Sequence, residues 1–314
     1  MALFLVADMG GSSAALAGGE PTVGSTQSHH KPSTYVVSNR QDTLPEGIDI
    51  STDGTMYVGS KGDGTIYRGN VHDRRLHPWL PGGQDGRSTA TGVHEDPWGR
   101  VVVAGAESGH LFLYERSGRL RSKRTTSAET FLNDFDFSGN YVYVTDSKNN
   151  AIYRARISRS GLGALKLWMT SADFSVAPDF INGLVATPDG RALLVSDWQV
   201  SRTYRVDISA RKAEPVIVHH GTLGGDGLLL RGHTAVAVDN NVNPDGSLTS
   251  FARKARLNGD YTEAWVVDDS EHAGPSRQPT TIAQNGHRLI WVESQFGAQH
   301  SSPPYIARVV RGLR

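Results

Sequence analysis

Six times along the chain a short apolar run ends in a polar or glycine cluster: "GTMYVGS" (54–60), "GRVVVAG" (99–105), "NYVYVTDS" (140–147), "RALLVSDW" (191–198), "HTAVAVDN" (233–240) and "HRLIWVES" (287–294). Each is followed by a second run: "TIYRGNV", "HLFLYER", "AIYRARI", "RTYRVDI", "SFARKARL" and "PYIARVV". Three of these share Tyr-Arg, at Tyr67-Arg68, Tyr153-Arg154 and Tyr204-Arg205. Each regular run is also preceded by one, "PEGIDI", "TGVHED", "NDFDF", "NGLVAT", "DGLLLR" and "TTIAQN". A looser fourth run trails five of the units ("LHPWLPG", "LRSKRT", "LKLWMTS", "EPVIVHH", "EAWVVDD"). The runs are short and rich in β-branched and aromatic residues, which suits strands, and no helical period interrupts them. Self-similarity at about 40 to 54 residues, with four strands per unit, predicts an all-β, six-bladed β-propeller of antiparallel blades. The sixth unit lacks its fourth strand, and "TYVVSN" (34–39) is expected to supply it, closing the ring and hiding a sheet edge.

In a propeller the first strand of each blade lines the central channel, so equivalent positions form a ring. Aligned first strands open with Glu46, Thr91, Asn133, Asn182, Asp226 and Thr280. Glycine follows at Gly47, Gly92, Gly183 and Gly227, replaced by Asp134 and Thr281 in the other two; an apolar residue comes next in all six. All six ring residues carry a side-chain oxygen and none offers a nitrogen base or sulfur. Two carboxylates with two amide oxygens suit a hard divalent cation, calcium first, with magnesium and manganese sharing the oxygen preference. Zinc favours histidine or cysteine, which the ring lacks. Without a cation, two carboxylates in a channel would be costly. The metal set expected is therefore Glu46, Asn133, Asn182 and Asp226, with Asp134 orienting a ligand or water and Thr91 and Thr280 lining the channel. The competing expectation is a set of turn residues bonding local backbone.

Composition narrows the partners. Lys+Arg equals Asp+Glu at 32 each, against the basic surplus expected of a nucleic-acid or anionic-membrane protein. Cysteine is absent, which removes disulfides, thiolate nucleophiles and Cys-zinc sites. No apolar run is long enough to span a bilayer. No Gly-x-Ser-x-Gly elbow, phosphate loop or dinucleotide fingerprint is present. The expected partner is a small molecule. Residues 1–32 read as a segment separate from the propeller of 33–314. Small residues at "ALAGG" fit the remnant of a secretory leader, which would place the protein in a periplasm or outside the cell. Asp8 and the lack of any Lys or Arg before Lys31 fit a disordered tail instead, which leaves the cytoplasm open.

The segments "LPEGIDIS", "FLNDFDFSG", "INGLVATPDGRALLVSD" and "GGDGLLLRGHTAVAVDN" resemble the senescence-marker-protein, gluconolactonase and luciferin-regenerating-enzyme family of six-bladed propellers. The resemblance covers roughly 34–310, with the four motifs in order. It implies a divalent metal, usually calcium, held by Glu46, Asn133, Asn182 and Asp226, and hydrolysis of sugar lactones; related propellers act on other lactones and organophosphate esters. The end, "PTTIAQNGHRLIWVESQFG", is similar to a sugar-lactone lactonase-like branch, and 241–278 looks irregular. In this reading the metal polarises the lactone carbonyl and Asp226 is the general base. His94, His219, His220, His272 and His300 are rim candidates for acid or base, or surface loop histidines. Arg87, in "DGRSTATG", either faces the mouth to bind a polar substrate or sits in a solvated loop. The rival functions are a non-catalytic scaffold with a structural metal, and a same-fold enzyme acting on phosphotriesters or performing a strictosidine-synthase-like condensation; the last would not need the oxygen ring.

Overall fold

The alternation of apolar and polar residues within each run is resolved into six small antiparallel sheets set in a ring, a six-bladed β-propeller. The computed structural model describes residues 31–126, 128–245, 247–274, 276–296 and 301–313. From the channel outward, blade one is Pro45–Ile50, Thr55–Ser60, Ile66–Asn70 and His77–Leu80. Blade two is Val93–Glu95, Val101–Ala104, His110–Tyr114 and Leu120–Thr125. Blade three is Leu132–Ser138, Tyr141–Asp146, Ala151–Ser158 and Lys166–Met169, with Gly161–Leu162 in a small hairpin. Blade four is Ile181–Ala186, Ala192–Asp197, Arg202–Asp207 and Lys212–Pro215. Blade five is Leu228–Arg231, Thr234–Val242, Leu248–Leu257 and Glu263–Asp269. Blade six is Pro279–Asn285, Arg288–Glu293 and Tyr305–Val309, completed by Thr34–Ser38. The closing strand runs antiparallel to Tyr305–Val309, with Tyr35 opposite Ala307. Tyr35 and Val37 are buried, so the edge is covered by apolar packing as well as by ladder bonds.

Apolar clusters lie between neighbouring blades. Ile48, Met56 and Val58 of blade one meet Ile290 and Val292 of blade six. Val93, Val101 and Val103 of blade two meet Tyr57 and Ile66 of blade one, and the same arrangement recurs around the ring. Each such aliphatic side chain contributes roughly 1.5–3 kcal/mol on full burial, so blade-to-blade packing dominates the stability.

Two expectations need correction. "EPVIVHH" is not one strand of blade four. Lys212–Pro215 stays with blade four, whereas Ile217–His219 crosses to lie parallel to Glu263–Asp269 of blade five. Pro215 has no N–H to continue the ladder, and the chain leaves the blade just after it. Nor is 241–278 irregular throughout: Leu248–Leu257 pairs with Thr234–Val242 in a nine-pair hairpin register from Thr234↔Arg256 to Val242↔Leu248, and Glu263–Asp269 follows as the outer strand. Among the described residues the only helical turns are the 3-10 segments Gln84–Gly86 and Ser171–Asp173, and no helix is long and apolar enough to cross a membrane.

Candidate active site

A repeated β-bulge builds the ring. In blade three Leu132 pairs with Asp146 and Phe135 with Val144, so three steps on the inner strand match two on its neighbour. The same extra residue stands in blades one, four and six. In blade two, Thr91 N–H donates to Ala104 O while Ala104 N–H donates to Gly92 O; Asp226, Val238 and Gly227 repeat this in blade five. A bulge re-aims side chains. Leu132 and Phe135 thereby both reach the interblade core, and Asn133 and Asp134 are turned away from it. The glycine after the ring residue has a packing cause. A Cβ on Gly47 would lie 2.3 Å from Thr91 O of the next blade, and one on Gly92 would lie 2.8 Å from Asn133 O.

All six ring residues are buried. Asn182 and Asp226 are directly bonded, and the charge of Asp226 is felt at Glu46. Asn182 Nδ2 donates to Asp226 Oδ1 at 2.7 Å. Asn133 Nδ2 donates to Ser147 Oγ at 2.9 Å, and its Oδ1 is buried without a donor. Burial pushes the Glu46 carboxyl well above the usual range, and Asp226 and Asp134 add repulsion that Lys61 partly offsets. Burial likewise pushes Asp226 up to about 7; the Asn182 amide opposes this and Asp134 reinforces it. Thr91 and Thr280 are corrections. Thr91 Oγ1 donates to Leu132 O at 2.8 Å and Thr280 Oγ1 to Glu46 O at 2.7 Å. Both are fully buried, so they tie adjacent inner strands together and line no open channel.

Asp134 reaches further than an orienting role at the ring. Its Oδ1 lies 3.0 Å from His94 Nε2 and accepts the Phe135 amide, while its Oδ2 faces the Leu184 amide of blade four. Burial opposes the charge on His94, but the Asp134 hydrogen bond and charge, with Asp49 and Asp136, outweigh it and carry the imidazole up to about 9. His94 therefore belongs to an inner strand and to the far half of the channel. There a cavity of about 370 Å³ is lined by Asp49, His94, Glu95, Asp136, Arg231 and Gln284 among apolar side chains. The other histidines stand elsewhere. His219 stacks on Trp265 at 5.0 Å and pairs with Glu263 at 2.8 Å on the outer part of blade five. His220 is exposed, His272 packs beside Phe251 at 5.5 Å, and His300 lies outside the described residues.

Arg87 is the clearest displacement from expectation. It is fully buried, donating from Nε to Gly64 O at 2.6 Å, from Nη2 to Pro81 O at 3.0 Å, and from Nη1 to the Tyr114 hydroxyl. It pins blade one to blade two and does not face the mouth. Sequence reading passed over Lys61, whose Nζ sits 5.3 Å above the Phe131 ring and 3.3 Å from Glu107. It also passed over Phe131 and Phe180, although "FLN" and "FIN" place each two residues before a ring asparagine.

No protein-family model matches the chain, and no curated protein sequence matches it. Solved structures do. The Malassezia sympodialis allergen Mala s 1 aligns over 89% of this chain and 96% of its own with a TM-score of 0.59 at 15% identity. Regucalcin from Agrobacterium tumefaciens, a calcium-binding protein, aligns over 90% and 95% with a TM-score of 0.53 at 16% identity. Virginiamycin B lyase from Staphylococcus aureus aligns over 87% and 86% with a TM-score of 0.54 at 14% identity. At such identities these likenesses establish the propeller fold and leave the chemistry to the site itself.

Proposed function

We propose that this protein is a divalent-cation-dependent hydrolase that opens a lactone, or a related small ester, at the ring end of the channel. The observation that carries the reading is a pair of buried carboxyls pushed up, Glu46 and Asp226, at the inner-strand position where blade three carries Asn133, whose Oδ1 is buried without a donor. Burying such groups without compensation costs several kcal/mol, roughly, so a proton or a cation belongs there. Among the described residues no three acidic or histidine side chains group closely enough to hold an ion unaided. The amide oxygens are therefore an essential part of the set. Glu46, Asn133, Asn182 and Asp226 would hold a hard cation such as calcium through oxygen alone. When bound, the ion supplies Lewis acidity toward a carbonyl oxygen. Asn182 now turns its nitrogen to Asp226; rotation about its last bond presents the oxygen instead. Asp226 is the proton acceptor, and Asp134 and His94 fix the electrostatics beneath it. A calcium-binding protein and a lyase among the structural neighbours support, at the level of fold, a channel suited to ions and to catalysis.

The test strips the protein with chelator, then measures calcium, magnesium and manganese binding by calorimetry, melting temperature, and turnover on a lactone panel. Calcium should raise the melting temperature, because an ion bound only by the folded state stabilises it. Asp226→Asn should cut turnover by roughly 100- to 10,000-fold while keeping some ion. Glu46→Gln should weaken ion binding first, with activity restored by excess calcium. No ion and no turnover would sink the reading; an ion without turnover would leave a scaffold with a structural metal.

A further inference from the structure

We infer that the ring-end mouth recognises a flat apolar ring, so that the substrate is an aryl- or alkyl-substituted lactone or ester and not a polyhydroxylated sugar lactone. This deepens, and rests on, the placement of the reactive site at Glu46, Asn133, Asn182 and Asp226. Leu132 and Ile181 are fully buried in interblade clusters. Strand alternation therefore turns Phe131 to the side of Asn133, and Phe180 to the side of Asn182. Both phenylalanines are half-buried, and they stand on adjacent blades. Their backbones are held: Phe131 N–H donates to Asp146 Oδ1 at 2.9 Å, and Phe180 N–H to Asp197 Oδ1 at 3.0 Å. Trp198, also half-buried, meets Phe180 edge to face at 6.1 Å. Lys61 contributes a cation over Phe131, within electrostatic reach of Glu46, where a carbonyl or ester oxygen would lie.

The polar side chains at the equivalent positions of blades three, five and six are already engaged. Ser147 Oγ donates to Ile181 O at 2.6 Å and accepts from Asn133. Asn240 donates to Pro279 O at 3.0 Å and accepts from Ser250. Ser294 Oγ donates to Gln278 O at 2.7 Å. A sugar lactone brings several hydroxyls, each of which loses water on entering and needs a partner. Among the described side chains here, what remains are aromatic faces with two donors, the Lys61 ammonium and the unpaired Trp198 Nε1–H, fewer than a polyol needs. The aromatic faces pack against ring faces or C–H bonds and discriminate against polyols.

Dihydrocoumarin and glucono-1,5-lactone are the hydrolysis probes, and the inert lactam 3,4-dihydroquinolin-2-one is the binding probe, followed by calorimetry. The proteins are wild type, Phe131→Ala, Phe180→Ala and Phe180→Leu, each checked for an unchanged melting profile. Phe180→Leu keeps apolar bulk if the alanine variants fold poorly. Wild type should favour dihydrocoumarin over the sugar lactone in kcat/KM. Each alanine variant should lose about 10-fold on dihydrocoumarin through KM and bind the lactam about 10-fold more weakly, with Phe180→Leu between. A preference for the sugar lactone, or lactam affinity unchanged in all variants, overturns the inference. If neither lactone is hydrolysed but the lactam binds with that variant pattern, the hydrolase reading fails and the aromatic subsite stands. If the lactam does not bind wild type, the subsite is overturned whatever is hydrolysed.

Discussion

Blades three and four use a buried acid differently from blades five and six. The register makes Asp146, Asp197, Asp239 and Glu293 equivalent; each ends its second strand near the ring except in blade five, where the strand runs on to Val242. Asp146 accepts the amides of Phe131 and Lys148, and Asp197 those of Asp179 and Phe180. These bonds fix the loops that lead into Asn133 and Asn182. Asp239 has no hydrogen-bond donor and meets Arg253 Nη1 at 3.6 Å; Glu293 meets Arg308 Nε at 3.3 Å and Arg277 Nη1 at 3.5 Å. Burial raises both, Asp239 to about 7, with the arginines opposing. One side of the ring is thus anchored by amide-to-carboxylate bonds that position the asparagines. On the other, the same position carries a charge balanced at longer range by arginine.

The largest expected effect tests that contrast directly. Asp197→Ala leaves two amides of the Asn182 loop without an acceptor and should cost about 2–5 kcal/mol in urea unfolding at pH 7.5. Glu293→Gln removes a poorly partnered charge and should fall within about 1 kcal/mol of wild type, of either sign. Equal losses in the two variants would dissolve the distinction between the blade pairs.

Titration sharpens the comparison next. Asp239 binds its proton more tightly folded, at about 7, than unfolded at about 3.9. Stability should therefore fall as pH rises from about 4 to 7, and Asp239→Asn should make that fall shallower by one group's share, Asp226 and Glu46 still contributing the rest. His94 runs the other way in chemistry. Its imidazole, facing Asp134, Asp49 and Asp136, is raised to about 9 against about 6.5 unfolded. Its contribution is complete below pH 6.5 and is lost as pH rises through 9. In His94→Gln the decline across that upper window should disappear. Urea midpoints measured from pH 4 to 10 read both variants, and a wild-type curve with no slope in either window contradicts these assignments.

The smallest effect concerns the residue one step before each acid. Thr145 Oγ1 donates to Asn182 O at 2.7 Å, linking blade three to blade four. Val238 and Val292 hold the corresponding places in blades five and six and can form no such bond. Thr145→Val should cost about 1 kcal/mol and loosen ion binding modestly. Thermal unfolding with and without calcium would measure it. If calcium affinity is untouched, the latch serves the fold and not the ring.

Much of the fold was legible in the residues because strand formation depends on neighbours two positions apart. The repeat, the order of strands within blades and the closing strand Thr34–Ser38 all follow from short runs. The ring was legible as a polar residue where an inner strand should be apolar, followed by glycine. Its cause, the bulge and the close approach of Gly47 to Thr91 O, was not, since it involves the backbone of another blade.

What the sequence by itself determined is the six-fold β pattern and the chemical types that open each inner strand. Local alternation and turn residues suffice for that. What only the tertiary structure decided is where each polar side chain is used. Thr280 bonds Glu46 O across 234 residues, Arg87 fills the seam between two blades, His94 meets Asp134 from the neighbouring blade, and Ile217–His219 leaves one sheet for the next. Hydrogen bonds and ion pairs act over about 3 Å, and which groups come that close is set by ring closure, not by the order of residues along the chain.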